Sequence, residues 1–408
     1  MRITLLLILL FTINTLNAQV VRDEYNKGKR YFKQKEYKKA KQKFTYVINH
    51  NTGYYEAYTY RARTYIALEM ADSAFLDFKT SIKQKKDFLP NYYYRAKLYF
   101  EQQEYDKSEK DLNFVIDKKD NYTPALLLRA RIYEQRGDDK LAFSDYNSLI
   151  NSGANYYEIY YRRGLYYSKH RQNTAAIKDF NKAISLKSTY APAYFALANS
   201  SQILGQTTEA LKYYSTAINL NESYQKAYGQ RAFLYYYLKK YELGLDDDRH
   251  TVSYFKLRED TLFIRMAKAE INLNDLTSAD RYLSKALSAN PKSTDALLMR
   301  ADVAVKRDRA STGLSYLRRI HNIDPNNYES WYLQAQIRYD NKEFEKAVES
   351  LNACIDIYDL PKAYYLRGAT YSALYDSDNA CKDTRKAAEL GHKQAKKDED
   401  RVCKGERN

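Results

Sequence analysis

Arginine and aspartate sixteen residues apart recur along the chain and are the first side chains that could do something specific. The pairs are Arg61 and Asp77, Arg95 and Asp111, Arg129 and Asp145, Arg163 and Asp179, Arg231 and Asp247, and Arg367 and Asp383. Where the Arg is missing, at Leu197, Met266 and Gln334, the Asp is missing too, at Tyr213, Tyr282 and Ser350. Arg300 with Tyr316 is the exception. Such joint presence and absence predicts structural salt bridges, between helices of one unit or to a neighbour. Partly buried Arg–carboxylate forks fix geometry more than they add net stability.

Other chemistry is hard to assemble. His50, His170, His250, His321 and His392 are far apart and lack metal-ligand spacing. No nucleophile elbow, phosphate loop or metalloprotease motif occurs. Asp246 to Asp248 reads as a solvated charge cluster on a helix surface. The chain is therefore expected to be no enzyme and to need no cofactor and no metal.

Small residues set the frame that positions these side chains. Gly28, Ala62, Ala96, Ala130, Gly164, Ala198 and Ala232 lie 34 apart, and Ala267, Ala301, Ala335 and Gly368 continue the series with single-residue shifts. A second series runs twelve residues later: Ala40, Ala74, Ser108, Ala142, Ala176, Ala210, Gly244, Ala279, Gly313, Ala347 and Ala380. Antiparallel helices approach closely only where side chains are tiny, so the two series mark a crossing point. Larger residues surround it at helical spacing, Tyr31, Tyr65, Tyr99 and Tyr133 on one helix and Phe44, Phe78, Leu112 and Tyr146 on the other. The six prolines fall at junctions between units, and Gly137 and Gly205 at turns inside them.

A 34-residue period with this grammar resembles the tetratricopeptide repeat (TPR) family over about eleven units, roughly Val21 to His392. The resemblance implies an all-α, right-handed solenoid of helix-turn-helix units with a concave inner groove that binds other proteins. It places Lys29, Arg63, Lys97 and Arg131, one residue after the small site in four successive units, in that groove; the ladder stops at Leu165. Aromatic groove candidates are Tyr60, Tyr93, Tyr94 and Tyr161, with Tyr25, Phe195 and Tyr236 beside them. Aromatic and Arg side chains together make binding hot spots, and repeated positive charge suits an acidic or extended segment; a plain solvated face is the competing reading. The carboxylate clamp of chaperone-binding relatives is not reproduced, because Tyr25 and Lys29 occupy its Lys and Asn places. Asp248 and one extra residue between Arg249 and Leu262 predict a looser joint or bend.

The ends differ from the middle. Arg2, the apolar run Ile3 to Ile13 and the polar stretch to Ala18 have the layout of a secretory signal peptide cleaved before Gln19; an uncleaved anchor is the other reading. No second long apolar run follows, so the mature chain is not expected to span a membrane. Export permits disulfides. Lys393 to Cys403 reads as a polar cap helix over the last repeat, which a solenoid end requires. A hairpin there would level Cys381 with Cys403, so the two are either bonded or free, and Cys354 is expected to be buried and free. The stretch Ala380 to Gly391 is similar to C-terminal units of exported repeat proteins of the Bacteroidetes kind.

These readings divide the chain into a signal (1–18), units one to seven (21–258), units eight to eleven (259–392) and a cap with its tail (393–408). A net charge of +16 favours acidic partners or anionic surfaces. The expected function is a non-enzymatic protein-binding scaffold in the periplasm or cell envelope. The alternative is a structural protein that binds anionic envelope polymer or lipid, and self-association through an uncapped end is a third reading. Nucleic acid is not expected as a partner: the 44 tyrosines sit largely at repeat positions, and no nucleic-acid motif occurs.

Overall fold

The structure, a computed structural model, describes the backbone of residues 2–404 and side chains from residue 17 onward. Among the described residues it is entirely helical, with no strand. Two compact units, Met1–Tyr213 and Tyr214–Asn408, divide the chain.

The first unit holds α1 (Arg2–Lys33), α2 (Tyr37–His50), α3 (Tyr55–Ala67), α4 (Ala71–Gln84), α5 (Leu89–Glu101), α6 (Tyr105–Lys118), α7 (Thr123–Arg136), α8 (Asp139–Asn151), α9 (Tyr157–Lys169), α10 (Asn173–Leu186) and α11 (Ala191–Ile203). The division falls inside α12 (Thr207–Leu220). The second unit continues with α13 (Gln225–Tyr237), α14 (Tyr241–Tyr254), α15 (Asp260–Asn272), α16 (Leu276–Ala289), α17 (Thr294–Lys306) and α18 (Ala310–Ile323). It ends with α19 (Tyr328–Asp340), α20 (Phe344–Ile357), α21 (Pro361–Ala373), α22 (Ser377–Glu389) and α23 (Lys393–Cys403). The odd helices α1 to α9 and α13 to α21 each pack on the even helix that follows, and within each unit successive odd helices such as α3 and α5, or α17 and α19, also touch. Within each unit these odd helices therefore share a face.

The small residues are where the helices cross. Ala62, Ala74, Ala96, Ala130, Ala176, Ala279 and Ala301 are all fully buried. A Cβ added to Gly28 would lie 2.7 Å from the Phe44 ring, and one on Gly164 would lie 2.6 Å from Phe180. Phe44, Phe78, Leu112, Phe180, Tyr214, Leu283, Leu317 and Leu351 fill the space beside the crossings, with no exposed surface. Pro90, Pro124, Pro192 and Pro361 occupy the first turn of their helices, where no N–H is needed; Pro291 and Pro325 are in loops.

The turn inside each pair is built alike. One residue adopts left-handed φ: Lys35, Glu69, Gln103, Gly137, Arg171, Gly205, Lys239, Asn274, Asp308, Lys342 and Tyr375. The next N–H then reaches back five residues to a carbonyl of the first helix, in seven turns that of the recurrent tyrosine, as from Met70 to Tyr65 at 2.9 Å and Lys240 to Tyr235 at 2.8 Å, and in the others that of Ser201, Glu270, Ala304 or Arg338. This is the helix-terminating bond pattern that normally selects glycine. Only two of the turns have it.

The apolar run Ile3 to Ile13 lies outside the residues whose side chains are described. No helix among the described residues is long and apolar enough to cross a membrane.

One expectation about the seventh pair is overturned. Asp246 alone faces solvent, whereas Asp247 is 5% exposed and Asp248 fully buried. Asp248 accepts bonds from the Tyr236 hydroxyl (2.8 Å) and from Arg265 Nε and Nη2 (3.0 and 2.5 Å). The extra residue lengthens the 255–259 loop, yet a continuous apolar cluster runs from Leu245 through Leu262, Met266 and Leu297 to Ile337. The loop turns Arg265 back onto the preceding helix, so a carboxylate at a core position finds its cation from the next pair.

Lys239 holds φ at 57°, a conformation glycine adopts without a Cβ clash. Lys239→Gly should stabilise the protein by about 1 kcal/mol, read as a higher Tm; an unchanged or lower Tm would contradict the turn assignment.

Candidate functional site

Two kinds of arginine stand two residues apart on the odd helices, and their surroundings differ. The first kind is Arg61, Arg95, Arg129, Arg163, Arg231 and Arg367. Each places Nε and Nη2 on both oxygens of its aspartate on the following helix, as in Arg61–Asp77 (2.7 and 2.8 Å), Arg95–Asp111 (2.7 and 2.7 Å) and Arg129–Asp145 (3.0 and 2.7 Å). Arg163–Asp179 (2.7 and 2.8 Å), Arg231–Asp247 (2.8 and 2.6 Å) and Arg367–Asp383 (2.7 and 3.0 Å) repeat the fork. All six carboxylates are buried.

The third arm of the guanidinium was not foreseen. Nη1 reaches the preceding even helix, donating to Thr45 (from Arg61), Asn113 (Arg129), Asn147 (Arg163), Ser215 (Arg231) and Asn352 (Arg367) at 2.6–3.3 Å. Each arginine thus ties three helices. Arg95 lacks the arm because the matching position is Lys79, which offers no acceptor. Burial raises Asp77 above the usual carboxylate range against the pull of Arg61. Asp77 in turn holds Arg61 above its ordinary value although burial opposes this. The two-pronged geometry is that of an ionised pair.

The exceptions resolve as well. Arg300 turns to Asp280 on α16 (2.8 Å) and lays its guanidinium 5.0 Å from the Tyr316 ring. In two of the three pairs without Arg, apolar partners take the same place, Leu197 with Tyr213 and Met266 with Tyr282; the third keeps the polar Gln334 and Ser350, and Ser350 accepts from Arg338 (3.0 Å).

The second kind of cation is the ladder. Arg63 is half-buried among the rings of Phe32 (4.8 Å), Tyr60 (4.8 Å) and Tyr94 (4.1 Å). Arg131 is half-buried over Phe100 (5.0 Å). Among the described residues neither makes a hydrogen bond or an ion pair. Lys29 lies over Tyr25 (4.7 Å), and Lys97 is exposed, 3.8 Å from Glu101. The ladder ends at Leu165, where the neighbouring cation Arg162 is bound by Glu134 (2.6 Å) and Glu158 (3.0 Å), and Tyr146 also donates to Glu134 (2.8 Å).

One open cleft of about 370 Å³ gathers several of these groups. Tyr93, Lys97, Phe100, Glu101, Leu127, Leu128, Arg131, Tyr156, Tyr157 and Glu158 line it, with Thr123 and Pro124. It brings together Lys97, Arg131 and Tyr93 from the expected set. Tyr60 and Tyr94 instead wall in Arg63, Lys29 stays with Tyr25, and Tyr161 stacks edge-on to Tyr190 at 5.1 Å, outside the cleft. Tyr236 is turned to Asp248 and is no groove residue. Burial raises the Tyr93 hydroxyl above its usual range, so this ring is neutral. Phe100, Tyr156 and Tyr157 were missed; Phe100 was findable, because it stands four residues after Ala96 and so shares a helix face with it.

The histidines and cysteines have clear positions. Every histidine stacks on an aromatic ring: His50 on Tyr46, His170 on Tyr166, His250 on Tyr228, His321 on Trp331 and His392 on Tyr365. No group of acidic, His and Cys side chains among the described residues is placed to hold a metal ion. Cys381 and Cys403 are bonded to each other, and Cys354 is free and buried.

Removing Arg129 leaves Asp145 buried and unpaired. Arg129→Ala should cost about 3 kcal/mol, and Arg131→Ala should leave the Tm nearly unchanged. Equal losses would contradict the division into two kinds. Burial, then Arg338, pushes His321 down from 6.5 to about 4. A base with a depressed folded value contributes stability above its unfolded value that is lost as pH falls. The Tm should therefore drop between about pH 6.5 and 4, and His321→Phe, which keeps the stack on Trp331, should flatten that drop; an identical pH profile for the variant would rule out this contribution.

Two units match the tetratricopeptide repeat family model, at residues 157–190 and 191–224. Residues 249–377 match the model described as ChAPs (Chs5p-Arf1p-binding proteins). No curated protein matches the chain. Similar solved structures include a tetratricopeptide repeat protein from Parabacteroides merdae, 17% identical over 64% of this chain and 98% of that one, with a TM-score of 0.44. Yeast Tom70 is 13% identical over 88% and 97%, with a TM-score of 0.38. YrrB, described as a TPR protein with an unusual peptide-binding site, is 23% identical over 44% and 92%, with a TM-score of 0.39. With the family model matched on consecutive units and the same helix pair repeated through both compact units, the chain is a tetratricopeptide-repeat protein.

Proposed function

We propose that this protein is a non-catalytic scaffold of the bacterial envelope that binds an acidic, extended protein segment on the odd-helix face of its first unit. One observation carries the reading. Arg63 and Arg131 are half-buried, backed by aromatic rings, and use none of their donors among the described residues, whereas Arg61 and Arg129, two residues away, use theirs on Asp and a further acceptor. A guanidinium held on rings with its N–H edge unused is poised for a carboxylate from outside. The cleft beside Arg131 adds apolar walls from Leu127, Tyr156 and Tyr157 for a side chain next to that carboxylate. The signal-like layout of the first eighteen residues supports an envelope setting, and the +16 charge favours encounter with an acidic partner.

The test is fluorescence anisotropy with a labelled peptide of alternating acidic and aromatic residues. The double variant Arg63→Glu, Arg131→Glu should bind at least about tenfold more weakly, since each lost charge-assisted bond is worth about 1.5–3 kcal/mol, with an unchanged Tm. Equal affinity for wild type and variant would sink the proposal. Binding of any polyanion with the same salt dependence would favour the anionic-polymer reading instead.

A further inference from the structure

The last helix, α23, has little of its own to hold it. Ala395 is its single buried residue, packed on Ala387, Ala388 and the rings of Tyr364 and Tyr365. The remaining ties are polar: Tyr365 donates to Asp398 (2.8 Å), Arg385 meets Glu399 (3.2 Å), and His392 caps the helix through the Ala395 N–H (3.1 Å). A free helix of about this length is marginal in water. The link from Cys403 to Cys381 on α22 adds a covalent restraint to these contacts.

That link is open to attack. Neither cysteine is buried, unlike Cys354, whose thiol burial pushes up to about 11. Arg385 Nη2 lies 3.9 Å from Cys403 Sγ, and Lys404 follows Cys403 directly. Cations beside a sulfur favour its thiolate and make it the better leaving group.

We propose that Cys381–Cys403 is a thiol–disulfide exchange site, and that its reduction by a protein dithiol releases α23 and uncovers the face formed by Tyr364, Tyr365, Ala387 and Ala388. A thiolate of the dithiol attacks Cys381 Sγ, and Cys403 leaves as the thiolate beside Arg385. The second thiol of the reductant then displaces Cys381 from the mixed disulfide. The reductant ends as its own disulfide, and two electrons and two protons have passed to the two cysteines. This inference is independent of the odd-helix binding face.

Hydrogen exchange on the full chain, before and after incubation with reduced thioredoxin as the dithiol, tests it. Amides of α23 should exchange about tenfold faster or more after reduction, while those of α20 stay unchanged. Cys381→Ser with Cys403→Ser should show the fast exchange without reductant and no further response. Thiol titration after the incubation must find three free thiols per chain instead of one. A bond that resists the dithiol, or protection of α23 that survives its loss, would overturn the proposal.

Discussion

Two backbones can lie against one another only where neither carries a side chain of any size. The fully buried alanines of each helix pair, and Gly28 and Gly164 under the Phe44 and Phe180 rings, mark those points. The rest depends on that contact. It fixes which helix faces meet, so the larger residues three and four positions away interdigitate, and it leaves the odd helices neighbouring one another along a common face. The same approach brings an odd-helix arginine within reach of an even-helix aspartate sixteen residues on. The fork is a product of the crossing, and it then holds the crossing in register.

From that frame follows a division of labour among cations. An arginine just before the small residue points between helices and is consumed by Asp and, in most pairs, by an acceptor on the preceding helix. One placed two residues later points across the shared face, where rings support it and no acceptor waits. Desolvation makes the first kind costly to break and the second kind valuable to a visitor. Two of the three pairs without arginine fill the same volume with Leu197 and Tyr213 or Met266 and Tyr282, as expected where a buried ion pair is exchangeable with well-packed apolar groups.

The repeat, the helix pairs, the proline positions and the Arg–Asp spacing were all legible, because each repeats at a fixed interval and periodicity survives without coordinates. What was not legible depends on single departures from the period. Asp248 looked like a surface charge because its neighbours are acidic; only the lengthened loop, which re-aims Arg265, makes it a core residue. Arg300 seemed unpaired because its partner, Asp280, precedes it. Left-handed turn residues such as Glu69 and Lys239 carry no signal, since the backbone bond that closes each turn tolerates any side chain there at a modest penalty. Of the site, the ladder arginines were visible, but Phe32, Tyr94 and Phe100 reach them from other helices, and a linear reading cannot choose among 44 tyrosines.

The third arm of the buried arginines has a bearing on how the array comes apart. Because Arg129 and Arg163 each bond to the helix before as well as the helix after, the loss of one pair strips an anchor from the next, and opening spreads as along a zipper with linked teeth. At Leu197 no such arm exists, and its place is filled by apolar packing with Ala176, Phe180 and Ala196. Heat or mechanical pull would therefore meet the stretch that Arg129 and Arg163 stitch as one linked piece.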